Sequence, residues 1–373
     1  MRPKSFVVFE TSTCHVIAAV ALLALARPSA AAPAPVVEVR PHVVHIERRD
    51  HAQVLNFDFL VTNLTGEACL LQEIEVSVYD AKGRLQVRRT LNDNGNSPGI
   101  ATVNRRQIAT GEHVLVFNPF HTFDDDLELS ALSFRFVWRR GDSDRTSSEV
   151  RVLPVDYAPR VLLRLPLGRR SLVWDGHDYY SHHRRFNYLS ANAVAAGTQT
   201  NPDRYGLDLV PINDAGDMHS GTPASNESWF GFGTPVYAAA SGTVVASFDA
   251  GLDNRDVDEE RLKSDALADY GNYLVIDHGG GEFALYGHIA HASARVRRGD
   301  VVTRGQHIAA IGASGSSLMP HLHFQLQTRP GADADGLPAY FTDIVRVLGA
   351  RVVPVTRGPI DSGDIVEPAS ARR

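Results

Sequence analysis

The segment Pro320–Leu326 reads Pro-His-Leu-His-Phe-Gln-Leu, so histidines alternate with apolar residues. In a β-strand, residues two apart project from the same face. His321 and His323 therefore share one face, and the leucines and phenylalanine beside them face a core. The pattern predicts a buried strand with two imidazoles side by side, where they can serve one metal ion as ligand and neighbouring base.

The region around this segment also has strand character. Asn272–Asp277 and Phe283–Ile289 are short and apolar, and Gly279–Gly281 between them is typical of a hairpin turn. We predict a domain of mostly β structure over residues 160–350, with a narrow groove. The Pro-, Gly- and Ser-containing stretch 356–373 is predicted to be disordered.

An earlier region shows the same period of two. Leu55–Val61, Ile74–Val78 and Leu132–Trp138 each alternate apolar with polar or smaller residues, and turn signals such as Asp80–Gly83 separate such runs. Two packed antiparallel sheets need this alternation because each sheet buries one face. We predict an immunoglobulin-like β-sandwich at residues 36–155, and an all-β fold for the whole protein.

The first residues have the features of an export signal. Arg2 and Lys4 precede the apolar run Val16–Ala26, and small residues follow it. That run has about 11 residues, whereas a membrane span needs about 20. We predict a cleaved secretory signal at residues 1–32, no membrane span after cleavage, and a periplasmic or extracellular location.

The composition is that of a folded globular protein, with 43% hydrophobic and 21% charged residues. Lys and Arg number 37 against 43 Asp and Glu, a net charge of −6 at pH 7, so there is no basic field for nucleic acid. After signal removal Cys69 is the single cysteine, which excludes an internal disulfide. No sequence feature indicates an oligomeric state.

Histidines are concentrated in the second region, where ten of the sixteen fall between residues 177 and 323. His288 ends a predicted strand, and Asp208 is a carboxylate in an apolar stretch that needs a partner when buried. One aspartate with two or three histidines suits zinc. The chain has no His-Glu-x-x-His and no Gly-x-Ser-x-Gly pattern, which argues against a helix-borne zinc site and a serine nucleophile.

Six motifs in this order resemble the lysostaphin/LytM-type M23 metallopeptidases. The resemblance covers about residues 160–350 and implies an all-β groove domain, one zinc ion (Zn2+), and cleavage of peptide cross-links in bacterial peptidoglycan. The motifs are Gly233–Val244, Gly271–Gly279, Leu285–Ile289, Val296–Gln306, Ile311–Gly315 and Pro320–Phe324.

The resemblance also implies a role for individual residues. Asp208 and His323 match zinc ligands of the family. His321 matches the general base that takes a proton from the attacking water, and His288 matches the second catalytic histidine, which helps to stabilise the oxyanion.

The chain departs from the family at the first ligand. The family usually has His-x-Gly-x-Asp, but residues 204–208 read Arg-Tyr-Gly-Leu-Asp, and arginine stays protonated and cannot bind zinc. A subgroup of the family places this histidine earlier, which points to His183, with His182 as second choice. His219, His177 and the absence of any such ligand also stay open at this stage.

The sequence therefore predicts a zinc-dependent endopeptidase that hydrolyses peptide cross-links or stems of peptidoglycan. The alternative is a catalytically degenerate M23-like module that binds peptidoglycan or activates another cell-wall hydrolase, and Arg204 is its main support.

Overall fold

The computed structural model describes residues 33–141 and 144–372, so the predicted signal at 1–32 lies outside the described residues. The first half of the described chain consists of short strands joined by turns. These strands are β1 (Val36–Arg40), β2 (His45–Arg48), β3 (Ala52–Leu55), β4 (Asp58–Thr62), β5 (Cys69–Tyr79), β6 (Leu85–Asn92), β7 (Gln107–Ile108), β8 (His113–Phe117), β9 (Thr122–Asp124), β10 (Ala131–Arg140), β11 (Asp144–Val152) and β12 (Val155–Asp156).

These strands pair into the sheets β1-β4-β8, β11-β10-β5-β6 (with β7 also on β5) and β12-β2-β3-β9. The alternating residues supply the core between them. Phe134 faces Val76 across the β10–β5 ladder, and its ring meets that of Phe59 edge to face at 4.9 Å. The all-β class is confirmed, and the immunoglobulin-like arrangement stays a prediction.

The second half is built on one large sheet, with the strand order β19-β16-β17-β18-β21-β14-β13-β25-β23-β24 and β22 beside β21. A separate pair is β15-β20. The strands are β13 (Ser171–Asp175), β14 (Leu207–Pro211), β15 (Pro235–Tyr237), β16 (Gly242–Phe248), β17 (Tyr273–Asp277), β18 (Phe283–Gly287), β19 (Val301–Val302), β20 (His307–Ala310), β21 (Leu322–Gln327), β22 (Gly336–Leu337), β23 (Phe341–Leu348), β24 (Arg351–Gly358) and β25 (Ile365–Pro368).

Helices in the described chain are short. Among the described residues, we find none with the length and apolar character that crossing a membrane requires. They are α1 (Ala191–Ala195), α2 (Glu259–Leu262) and the 3-10 helices Gly99–Thr102, Asn226–Ser228, Ala266–Tyr270 and Ala369–Arg372.

β21 lies in the interior of the large sheet, and all of its residues are buried. It pairs antiparallel with β14 on one side and β18 on the other. Its apolar residues Leu322, Phe324 and Leu326 belong to the main core of this half, as their alternation predicts. The opposite face of β21 therefore carries the histidine at position 323.

The segment 356–373 was predicted to be disordered, and this prediction is wrong for its described part. β24 continues to Gly358, and β25 lies between β13 and β23 with Val366 fully buried. The Gly and Ser residues that suggested disorder form the turn before β25, where Gly363 has a φ of 85°. A local composition signal missed this order because the partner strands are distant in sequence.

The two predicted regions pack together, since Ala34–Arg373 form a single contact unit. The Tyr340 hydroxyl accepts a hydrogen bond from the Arg48 backbone N–H at 2.7 Å. The buried Glu282 carboxylate accepts from the Tyr157 hydroxyl and from the Arg160 backbone N–H, both at 2.8 Å. The connector is therefore tied to the second half at more than one point.

Candidate metal centre

Asp208 and His323 are direct cross-strand partners in β14 and β21. Directly opposed residues of antiparallel strands share a face, so their side chains meet. The Asp208 Oδ1 atom lies 3.2 Å from Nδ1 of His323, and both side chains are buried. The other ring nitrogen of His323, Nε2, lies 2.7 Å from the Gln325 side-chain oxygen, an arrangement that orients the imidazole.

His183 reaches the same carboxylate from the loop that follows β13. Its Nε2 lies 3.3 Å from Asp208 Oδ1, and its Nδ1 donates to the Gly176 carbonyl at 3.1 Å. Gly206 makes room for the ring, because a Cβ there would lie 3.0 Å from His183 Cγ and 3.0 Å from the Asp203 carbonyl oxygen. The loop therefore presents Nε2 of a buried imidazole to Asp208.

These three residues fit a zinc ion. The donor atoms of His183, Asp208 and His323 all lie within 4.8 Å of one another. Two donors bound at about 2.0–2.1 Å on a tetrahedral ion are about 3.3 Å apart. The measured separations of 3.3 and 3.2 Å from Asp208 Oδ1 match that spacing. Two imidazole nitrogens with one carboxylate are also a donor set that zinc uses at catalytic sites.

His182, the second choice for the first ligand, lies at the edge of the group. Its side chain is 63% exposed, its Nδ1 lies 2.8 Å from Asp175 Oδ2, and its Nε2 is 3.9 Å from Asp208 Oδ2. Asp175, His182 and His183 also form a close trio. The Nδ1 atom through which His183 would join that trio already donates to a carbonyl, so the trio is a poorer ligand set.

The remaining alternatives lie elsewhere. His177 is buried beside Glu47, with its Nε2 3.0 Å from a carboxylate oxygen, and His219 packs against Trp229 with ring centroids 4.8 Å apart. Arg204 is fully buried and turns to the sandwich, where its Nη1 donates to Asp58 at 2.6 Å. The structure thus brings His183, not Arg204, to Asp208.

His321 and His288 lie next to the three candidate ligands. The His321 Nε2 atom is 3.2 Å from Asp208 Oδ1, and its Nδ1 donates to the Met319 carbonyl at 2.7 Å. His288 Nδ1 donates to the Ser314 carbonyl at 2.8 Å, and its ring centroid lies 4.7 Å from that of His321. With Nδ1 protonated in each neutral ring, Nε2 is the proton acceptor.

The electrostatics of the cluster separate its members. Burial, reinforced by His321 and His323, lowers the pKa of His288 well below 6.5. Burial alone would raise the pKa of Asp208, but the adjacent His183 and His321 hold it well below 3.8. Burial opposes protonation of His323, yet the neighbouring carboxylates raise its pKa to about 9. That proton has to leave before Nδ1 can bind a cation.

The five residues line a cleft of about 400 Å³, together with residues that sequence reasoning missed. The Tyr270 hydroxyl donates to Asp203, and its ring centroid is 5.0 Å from that of His323. Trp174 and Leu318 add exposed apolar surface. No motif marks these residues, because distant parts of the chain bring them together.

Comparisons with known proteins agree with this geometry. The family model "Peptidase family M23" matches residues 218–335. The lipoprotein NlpD of Yersinia enterocolitica is 30% identical over 95 residues, which cover 26% of this chain and 78% of NlpD.

Two longer relatives match over shorter shares. The peptidoglycan DD-endopeptidase ShyA of Vibrio cholerae is 31% identical over 121 residues, covering 32% of this chain and 23% of ShyA. The murein hydrolase activator EnvC of Escherichia coli is 35% identical over 92 residues, covering 25% of this chain and 20% of EnvC. The chain thus spans about a quarter or less of these two relatives.

The family match contains His288, His321 and His323, and it begins after His183 and Asp208. The similarity to NlpD extends over most of that relative. The chain belongs to peptidase family M23.

Proposed function

We propose that this protein is a zinc-dependent endopeptidase that hydrolyses peptide stems or cross-links of bacterial peptidoglycan. The observation that carries the proposal is the convergence of His183, Asp208 and His323 on one point, with two further imidazoles beside it. A metal-free binding module has no need of a buried carboxylate surrounded by ring nitrogens, because such a cluster is costly to assemble.

In this proposal the chain's own residues divide the proton transfers. When bound, zinc would supply Lewis-acid chemistry that polarises a carbonyl and acidifies water. His321 accepts the proton of the attacking water at Nε2, which faces the cluster while Nδ1 stays on the Met319 carbonyl. His288 has a low pKa and a free Nε2, so it stabilises negative charge only after that atom has accepted a proton.

The substrate class and location are part of the proposal. ShyA is named a peptidoglycan endopeptidase, and EnvC a murein hydrolase activator. We infer that this chain acts on the same polymer and is exported to the periplasm or the extracellular space, in line with the signal-like sequence at 1–32. The cleft contains no lysine or arginine among its lining residues, so it suits a peptide rather than an anionic ligand.

The test is digestion of purified peptidoglycan sacculi, with the released fragments identified by mass. We expect the wild-type protein with zinc to release peptide fragments, and His183→Ala and His321→Ala to release none above background. His291→Ala is the matched control, because this histidine is exposed and its Nδ1 bonds to the Gly251 carbonyl. Full activity in His183→Ala would contradict the proposed ligand set.

A second candidate function is activation of another hydrolase without catalysis. The similarity to EnvC, 35% over 92 residues, favours it. Elemental analysis separates the two candidates: the enzyme holds about one zinc per chain, and that zinc disappears in His323→Ala. A wild-type protein that binds sacculi, holds no zinc and releases no fragments would favour the activator.

A further inference from the structure

A buried charge cluster connects the sandwich to the loop that carries His183. Asp58, at the start of β4, accepts from Arg184 Nη1 at 2.5 Å and from Arg204 Nη1 at 2.6 Å. All three side chains are fully buried. Arg184 directly follows His183 in the sequence, so one member of the cluster is covalently adjacent to a candidate ligand.

Arg184 holds its position through two hydrogen bonds to the sandwich. Besides Asp58, its Nη2 atom donates to the Phe57 carbonyl at 2.7 Å. The guanidinium has a planar fork of donors, so two fixed acceptors define its position and orientation. The backbone on the other side of the loop is also held, since Asn201 Nδ2 donates to the His183 carbonyl at 2.9 Å.

The start of the loop is tied down as well. Asn56 Nδ2 donates to the His177 carbonyl at 3.4 Å, and the His177 imidazole contacts Glu47 of β2 at 3.0 Å. The Ser181 hydroxyl donates to the Gly176 carbonyl at 2.8 Å, the same oxygen that accepts from His183 Nδ1. Sandwich residues thus contact both ends of the segment between Gly176 and Arg184.

Stability alone does not account for the charge cluster. Burying ions is expensive, and replacing a buried ion cluster by well-packed apolar residues is often neutral or stabilising. Here two guanidinium groups share one carboxylate, so the cluster carries more positive than negative charge. What the charged arrangement gives, and an apolar one lacks, is a directional link to Arg184.

We propose that Asp58 and Arg184 are positioning residues for the metal centre: the sandwich places the first ligand, His183, by holding the residue next to it. This inference rests on the proposed zinc site. Arg204, at the position where related sequences have a ligand, serves as the second clamp on Asp58 and takes no part in metal binding. The sandwich is then a component of the metal centre.

The two arginines provide a matched pair of variants in the full chain. Arg184→Met and Arg204→Met each remove one buried guanidinium and leave Asp58 with the other. The readouts are the zinc Kd by chelator competition, the visible spectrum of the Co2+-substituted protein, and the Tm without metal. We expect Arg184→Met to weaken zinc about 10- to 100-fold and change the Co2+ spectrum. Arg204→Met is expected to stay within about 3-fold of wild type.

A further control loosens the interface away from the loop. Tyr340→Phe removes the hydrogen bond from the Arg48 backbone N–H and is expected to leave zinc affinity unchanged. If Arg184→Met fails to fold, Arg184→Lys replaces it: lysine keeps the charge at Asp58 but lacks the planar fork that also reaches Phe57, so weakened zinc binding is again expected.

The outcomes separate this inference from the proposed function. A wild-type protein without zinc affinity would end both. A wild-type protein that binds zinc, with Arg184 variants that bind it equally well, overturns the positioning role alone. Equal losses in Arg184→Met and Arg204→Met would also overturn it, because the effect would then follow the charge cluster and not the neighbour of His183.

Discussion

The candidate ligands are held in two different ways, by a β-ladder and by a loop. Asp208 and His323 are opposed in β14 and β21, inside an eleven-stranded sheet. His183 lies in a loop that depends on Gly176 and, through Arg184, on a carboxylate 126 residues earlier in the chain. The ladder is specified by local alternation and the loop by distant partners, so remote mutations reach the metal centre through His183.

The largest expected effect comes from removing the donor on the ladder. In His323→Ala, Nδ1 is lost, and the two remaining donors cannot complete a three-residue zinc site. We expect zinc to fall from about one per chain to a trace and hydrolysis to background, as measured by elemental analysis and sacculus digestion. His291→Ala should keep both. Zinc retained in His323→Ala would show that the ladder does not carry a ligand.

Removing the neighbour on the same face separates binding from catalysis. His321→Ala leaves all three candidate ligands in place, so zinc content should stay at about one per chain. Its rate of hydrolysis should fall by about 10²–10⁴, the range typical of a lost general base. Loss of zinc in this variant would contradict the division between ligand and base.

The loop can be disturbed without touching a donor. In Gly206→Ala, the new Cβ would meet His183 Cγ and the Asp203 carbonyl oxygen at 3.0 Å each, so the ring has to move. We expect zinc affinity to fall about 10- to 100-fold, measured by chelator competition. Gly66→Ala is the control, since nothing lies within 4 Å of a Cβ there. Unchanged affinity in Gly206→Ala would mean that the loop adapts freely.

The smallest effect concerns pH and the anchoring of the loop. Asp361 accepts from the His177 backbone N–H at 2.7 Å and pairs with Arg49. Burial alone would raise its pKa, but His177 and Arg49 lower it to about 2. The ionised form therefore stabilises the fold above pH 4, by about 2 kcal/mol, and this contribution is lost as the pH falls from about 4 to 2.

The check is urea unfolding of the wild type and Asp361→Asn at several pH values. Asparagine keeps an oxygen for the His177 N–H but does not titrate. The difference in unfolding free energy between the two proteins should shrink by about 2 kcal/mol from pH 5 to pH 2. A constant difference would mean that Asp361 does not hold the loop through its charge.

Sequence reasoning succeeded where structure is local. The alternation in Pro320–Leu326 predicted the buried strand and the shared face of His321 and His323, because side-chain direction in a strand follows directly from position. Asp208 was found through its carboxylate in an apolar stretch, and the structure places it beside His323.

The rest depended on contacts that sequence spacing does not encode. His183 was reached only through a family resemblance, and the link from Arg204 to Asp58 spans 146 residues. Tyr270 and Asp203 meet across 67 residues, with no motif at either position. The order of segment 356–373 was missed because β25 pairs with β13, nearly two hundred residues earlier.

The placement of β25 has a consequence for the assembly of the protein. β13, which leads into the loop of His183, is paired on one side with β14 and on the other with residues 365–366. A chain emerging from a ribosome or an export channel therefore cannot finish this sheet until those residues have emerged, because contacts so far apart in sequence form late. We expect that a nascent or truncated chain lacking β25 would not yet cut peptides, which delays a degradative activity until synthesis of the sheet is complete.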